Sequence, residues 1–361
     1  MSSNLFEPVT LGKLALSNRM VMAPMTRNRA TPDGQATELM ATYYGQRAGA
    51  GLIITEGIQP NAVGQGFLRT PGLHTEEQVA SWVPVTEAVH RGGGRIVAQL
   101  MHSGRIGHPS LYPSAHRSVA PSAIAAAGQC FGPEGPLDYP VPHELTVEEI
   151  ARTVDDIATA SQRAVDAGFD GVELHAGNGF LLHQFLSANT NHRSDAYGGD
   201  IAARIRFTVE VAEAAAERVG ADRVGMRISP ANPYNDIAEH DTAELYAALV
   251  EALPPLAFLH VMESANRPQT LAVRGLWQGK LILNPHPTAD SGPVSPETAA
   301  DTLESGAADA VCMGALFLAN PDLPDRIKAG GPYNSVDESA LYGGDHRGYT
   351  DYPTLRGTDA A

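Results

Sequence analysis

Short apolar runs alternate along most of the chain with longer stretches of helical periodicity. Arg19-Met20-Val21-Met22-Ala23-Pro24 is a brief apolar run ending at a proline and predicts a first strand. Leu52-Ile53-Ile54-Thr55-Glu56, Arg95-Ile96-Val97-Ala98-Gln99-Leu100 and Gly171-Val172-Glu173-Leu174-His175 predict the next three. Four more follow at 223–228, 258–261, 280–283 and 310–313. Helical patterns cover 37–49, 76–91, 146–168, 202–219, 242–253, 296–306 and 321–329. The helix after Thr146 opens on a capping box with Glu149. Strand-length runs that are apolar throughout, separated by helices and short loops, indicate parallel βα units buried on both faces. Eight such units close a barrel.

The predicted fold is therefore α/β, a TIM (β/α)8 barrel forming one domain over residues 1–361. A hairpin around Gly12-Lys13 precedes it and is expected to plug its N-terminal end. Between about 101 and 145 the periodicity fades and prolines, glycines and serines recur. A loop this long after strand three reads as a capping insertion over the site. The tail from about 331 carries Tyr342, Tyr349 and Tyr352, aromatics that predict packing rather than disorder.

Composition narrows the function. The formal net charge is −16, and the lysines Lys13, Lys280 and Lys328 form no cluster. Nucleic acid and anionic membrane surfaces are excluded as partners. Cys130 and Cys312 stand far apart, with no metal-ligand pattern among His, Cys and Asp, and fit a reducing compartment. The N-terminus shows no signal peptide and no apolar run spans a bilayer. The expectation is a cytoplasmic enzyme, monomer or homodimer, with a small-molecule substrate and no bound metal.

Candidate chemistry concentrates in Gly171–Gly199. His175 ends a strand and Asn178 follows in the loop, which places both at the C-terminal rim of a barrel. An imidazole N–H and an amide can both donate to one oxygen and so stabilise a carbonyl that gains charge as it reacts. The stretch His175-Ala176-Gly177-Asn178-Gly179-Phe180, with Asn191-His192-Arg193-Ser194-Asp195-Ala196-Tyr197-Gly198-Gly199, Ala23-Pro24-Met25-Thr26-Arg27 and Gly348-Tyr349-Thr350-Asp351-Tyr352-Pro353, closely resembles the old yellow enzyme family, the FMN-dependent ene-reductases. The resemblance covers nearly the whole chain.

It implies a set of roles. Pro24, Met25 and Thr26 face the flavin ring, Gln99 meets its imide edge with both donor and acceptor, and Arg227 supplies a positive charge beside it. Gly314 belongs to the phosphate site. Phe67, Met101 and Tyr349 line the substrate pocket. NAD(P)H reduces FMN. An α,β-unsaturated carbonyl compound then binds with its oxygen on His175 and Asn178 and takes hydride at its β-carbon. The Asn191–Gly199 run is structural, and Glu56 and Glu173 are members of ion pairs inside the barrel.

Two departures qualify the resemblance. The family pattern is H-x-x-N-G-Y, and here the tyrosine that protonates the α-carbon is Phe180. Without that proton an enolate can return its hydride, giving isomerisation in place of reduction; Tyr44 and Tyr349 are candidate substitutes. The phosphate site is altered at Asn284 and Pro285, and Ala315 stands where the family has arginine. His286 or Arg274 could take the arginine's place. These departures keep two alternatives open: a flavin-independent isomerase, cyclase or lyase using His175 and Asn178, and a non-catalytic binding protein.

Overall fold

A computed structural model describes residues 3–112, 116–355 and 357. Eight parallel strands form a closed barrel: β1 (Met20–Met22), β2 (Leu52–Ile58), β3 (Ile96–Leu100), β4 (Gly171–Ala176), β5 (Val224–Ile228), β6 (Phe258–Met262), β7 (Leu281–Asn284) and β8 (Ala310–Met313). β8 closes on β1 through the pairs Val311–Met20, Cys312–Val21 and Met313–Met22. Every strand residue is buried except Met262, which explains why apolar runs, not alternation, mark these strands.

The helices are α1 (Glu38–Gln46), α2 (Glu76–Arg91), α3 (Val147–Asp166), α4 (Ile201–Val219), α5 (Thr242–Ala252), α6 (Arg267–Leu276), α7 (Pro296–Glu304) and α8 (Leu323–Ala329). The capping box of Thr146 and Glu149 starts α3 as predicted, and Thr75 with Gln78 forms a second one at α2. α6 and two short helices, Leu181–Leu186 and Ala315–Ala319, are additions to the sequence prediction.

The hairpin of Val9–Leu11 and Leu14–Leu16 fills one end of the barrel. Leu11, Leu14 and Leu16 pack with Val21, Leu52, Ile54, Val97, Phe258 and Ile282. Its turn needs Gly12, whose φ is +57° and where a Cβ would lie 2.3 Å from the Asp222 carbonyl oxygen.

The capping insertion holds more order than its sequence suggests. Val119–Ala120 pairs with His143–Glu144, and Gln129–Gly132 forms a hairpin with Gly135–Asp138. Arg193 anchors it, donating to the carbonyls of Pro121 and Leu145 while paired with Asp195. That supports the structural reading of the Asn191–Gly199 run.

The tail packs through Tyr349, fully buried and stacked on Tyr43 with ring centroids 4.0 Å apart. Arg27 and Arg29 donate to tail carbonyls at Leu341, Gly348 and Asp345. Tyr342, expected to pack, is 70% exposed. Among the described residues, no helix is long and apolar enough to cross a membrane.

Candidate active site

The ends of β1, β3, β4, β5 and β8 open on the rim away from the hairpin plug. β4 brings His175 there, 2% exposed. Burial, then the charge of Arg227, holds its proton affinity well below the usual histidine range, so the ring is neutral. Its Nδ1 is sealed with no hydrogen-bond partner. The single ring proton is therefore better placed on Nε2, which is free to donate to a ligand.

Asn178 has φ +54°, a left-handed conformation that asparagine tolerates better than most residues. Three contacts from the loop after β5 fix it. Its N–H donates to Ser229 Oγ at 2.7 Å, its carbonyl accepts from Asn235 Nδ2 at 2.7 Å, and its Oδ1 accepts from Asn232 Nδ2 at 3.1 Å. With Oδ1 occupied, the Nδ2 group is the end left to donate outward. Gly179 follows with φ +74°, and its N–H donates to His183 Nδ1. His183 Nε2 in turn meets Glu239, buried beside Tyr246. Ser229, Asn232, Asn235, His183 and Glu239 are not among the residues the sequence singles out. The polar cluster Ser229-Pro230-Ala231-Asn232-Pro233-Tyr234-Asn235 after a strand was the signal available for three of them.

Phe180 lies against this pair, its ring centroid 5.1 Å from that of His175 and 6.2 Å, edge-on, from Phe67. It packs with Met101, Ile106 and Ala126, and Phe67 and Tyr139 cover the cluster. Phe67 and Met101, which the sequence assigns to a substrate wall, both belong to this cluster. Tyr139, from the capping insertion, is an addition, and burial pushes its phenol up to about 12. Tyr349 does not join this wall. It is in the core against Tyr43, between Arg27 and Arg29, because the tail turns its ring inward. Tyr44 is also buried, with its hydroxyl against Glu56. Neither tyrosine replaces the missing proton donor.

Below the rim, neighbouring strands carry His175, Arg227 and His260 as register partners. Arg227 is 5% exposed, and among the described residues its guanidinium has no carboxylate within ion-pair distance and no hydrogen bond. His175 Nδ1, Arg227 Nε and His260 Nε2 are all sealed and unpartnered. Buried polar atoms are normally satisfied, so this ring of orphans is suited to a flat polar ligand. Gln99 uses Nε2 on Glu173 at 2.8 Å, leaving its Oε1 free. Gln99 thus has an acceptor and one remaining amide hydrogen for a ligand.

The expected ion pairs are corrected. Glu173 meets His260 Nδ1 at 2.7 Å, but burial lowers the proton affinity of that imidazole, which makes the contact a hydrogen bond to a neutral ring. Glu56 accepts from the Arg27 N–H at 3.1 Å and from Tyr44, with no cation at ion-pair distance among the described residues. Burial raises its carboxyl to about 7.

The flavin that the resemblance implies fits these groups. Pro24, Met25 and Thr26 are half-buried on the loop after β1, open to a ligand. Gly314 and Ala315 are half-buried after β8, and a Cβ at Gly314 would come no nearer than 3.5 Å to any atom. The N–H groups of Ala315, Leu316 and Phe317 open the short helix there and donate to no group among the described residues. A phosphate at this point meets backbone donors. Asn284 is spent on the Cys312 carbonyl at 2.9 Å, tying β7 to β8. Arg267 is paired with Glu263. Arg274 does not compensate for Ala315: with Lys280 it pairs with Asp309, at the starts of β7 and β8 and so at the opposite end of the barrel. His286 is half-buried beside Asn284.

Residues 4–334 match the family described as NADH:flavin oxidoreductase / NADH oxidase. A probable flavin mononucleotide-dependent alkene reductase of Leishmania infantum is 42% identical, covering 97% of both chains. 12-Oxophytodienoate reductase 1 of Oryza sativa subsp. japonica is 36% identical over 98% of this chain and 94% of its own. Among solved structures, morphinone reductase superposes with a TM-score of 0.93 at 39% identity, over 100% of this chain and 99% of that one. An old yellow enzyme homologue from Zymomonas mobilis gives 0.92 at 37%, over 97% and 99%.

Proposed function

The chain belongs to the NADH:flavin oxidoreductase family, the old yellow enzymes, and from that membership we propose which of its residues carry an ene-reductase reaction. The enzyme is an FMN-dependent oxidoreductase acting on alkenes activated by a carbonyl, with NAD(P)H as reductant. FMN, when bound, would supply the hydride chemistry that links the nicotinamide to the alkene.

The chain's own groups do the rest. His175, neutral and protonated on Nε2, and the outward Nδ2 of Asn178 donate to the substrate carbonyl. Both are already oriented, so they stabilise the developing oxyanion without rearranging. Arg227, as an unpaired cation, and Gln99, with its free Oε1, would help to hold the flavin. Pro24, Met25 and Thr26 would hold the ring, and the N–H groups after Gly314 would hold the phosphate. Phe67, Met101 and Phe180 press an apolar wall against the substrate, which favours hydrophobic enones. Phe180 gives no proton, so protonation of the α-carbon falls to water or to Tyr139, the phenol packed on this wall.

The observation that carries this reading is the fixed pair of outward donors, His175 and Asn178, above an unpaired Arg227. The flavin-free alternative draws no support from relatives that are themselves FMN-dependent. The test is direct. The purified protein is expected to show a flavin absorbance band and to oxidise NAD(P)H in an enone-dependent way. His175→Ala/Asn178→Ala should keep the band and lose enone turnover. Normal enone turnover in that variant would sink the assignment.

A further inference from the structure

Glu173 and His260 have no part in that chemistry, yet they lie at the centre of the barrel. Both are 0% exposed, and Gln99 is 3% exposed. Glu173 on β4 is the register partner of Gln99 on β3. Its Oε1 accepts from Gln99 Nε2 at 2.8 Å, and its Oε2 lies 2.7 Å from His260 Nδ1. A carboxylate offers acceptors alone. It therefore draws an N–H from each neighbour: His260 takes the Nδ1–H tautomer and Gln99 turns its NH2 end inward.

This matters because a glutamine amide is nearly symmetric in shape. Oε1 and Nε2 exchange places by a half-turn, and only the partners decide which faces the ligand. Here the partner is an acceptor that cannot reverse its role. The free Oε1 is thereby committed to the site, where Arg227 stands two residues beyond Gly225, the register partner of Glu173.

We propose that Glu173, braced by His260, is a positioning residue that locks the Gln99 carbonyl toward the ligand, so that this corner of the site selects an N–H flanked by an acceptor, the pattern of a cyclic imide. The inference rests on the flavin reading above and says which group enforces the polarity of its recognition. The same carboxylate opposes the charge of Arg227, so it also restrains how strongly the site favours the reduced, more anionic flavin.

The test uses the holoenzyme reconstituted with FMN. Glu173→Gln places an amide at 173 that can donate as well as accept, and releases Gln99 to turn. The Kd for FMN is expected to rise about tenfold. The two-electron potential is expected to move upward by ~30 mV, the equivalent of a tenfold gain in relative affinity for reduced flavin. The most specific readout is ionisation of the bound oxidised flavin's imide N–H, followed by visible absorbance against pH. Wild-type protein should resist it, and Glu173→Gln should ionise at lower pH, because a turned amide then donates to the imide anion.

Unchanged affinity and unchanged imide ionisation in a folded Glu173→Gln would overturn the inference. Two variants at 260 test the same point independently. His260→Leu should reproduce the ionisation change, and His260→Gln, which retains a donor for the carboxylate, should restore wild-type behaviour; identical titrations from the two would also overturn it. A wild-type protein that binds no FMN is a separate result, against the functional reading itself.

Discussion

Phe180 packs edge-on to Phe67 and tilted against His175, where a phenol would put a proton beside the proposed carbonyl donors. A positioned general acid contributes roughly 100- to 10,000-fold. Phe180→Tyr is therefore expected to raise net reduction at least ~10-fold, and to raise the ratio of reduced to isomerised product, measured on an enone with a displaceable double bond. An unmoved ratio would show that protonation does not limit this site. If the loop after β8 is the phosphate site proposed above, Ala315 adds no side-chain cation to its backbone donors. A charge-assisted hydrogen bond is worth about 1.5–3 kcal/mol. Ala315→Arg should accordingly tighten FMN by roughly 10- to 100-fold, read by fluorescence quenching on titration. No tightening would mean that the first-turn amides already satisfy the phosphate.

At the scale of elements, the loop from Gly177 to Phe180 is held by contacts from far along the chain. Gly179 has φ +74°, and a Cβ there would sit 2.5 Å from the Tyr234 carbonyl oxygen. Gly179→Ala should cost about 1–3 kcal/mol of stability and raise KM for the enone, because Asn178 moves with it. Thermal unfolding and steady-state kinetics check the two halves.

This loop also shows what the sequence could reveal. His175 and Asn178 were legible because strand end and loop adjoin in the chain. The orientation of Asn178 was not, because Asn232 lies 54 residues away. The barrel strands were legible because burial on both faces leaves continuous apolar runs. α6 was not, because it buries Gln269 and Thr270 beside Val273 while Leu271 and Leu276 stand exposed. The capping hairpin hid behind Pro136 and its glycines. Arg274 stood beside His286 as a candidate for the phosphate because sequence does not say which end of β7 a neighbouring side chain approaches.

The whole molecule carries its buried ionisable groups in opposing senses. Burial holds His102 down to about 3 and keeps His175 and His260 below the usual range. The unfolded chain protonates these rings near pH ~6.5. Below that pH the unfolded state binds more protons, so stability falls as the solution is acidified. Glu56 acts in the reverse sense. Its carboxyl is raised to about 7, so its contribution is intact below the unfolded carboxylate range, near ~4.3, and is lost as pH rises through about 7. Wild-type Tm should drop steeply from about pH 6.5 to 5. Glu56→Gln, which cannot ionise, should raise Tm at pH 8 relative to wild type and leave pH 4 little changed. Equal Tm values at pH 8 would refute this account of Glu56.

The clamp between the early loop and the tail has a consequence for biosynthesis. Arg27 follows directly on Thr26, and its guanidinium is completed by carbonyls of Leu341 and Gly348. Arg47 reaches Leu318 and Tyr349 in the same way. A nascent chain emerging from the ribosome can assemble its first βα units long before those acceptors exist. The loop carrying Thr26 therefore sets only after the tail has been translated. A polypeptide halted before Leu341 should retain barrel secondary structure and yet fail to capture flavin.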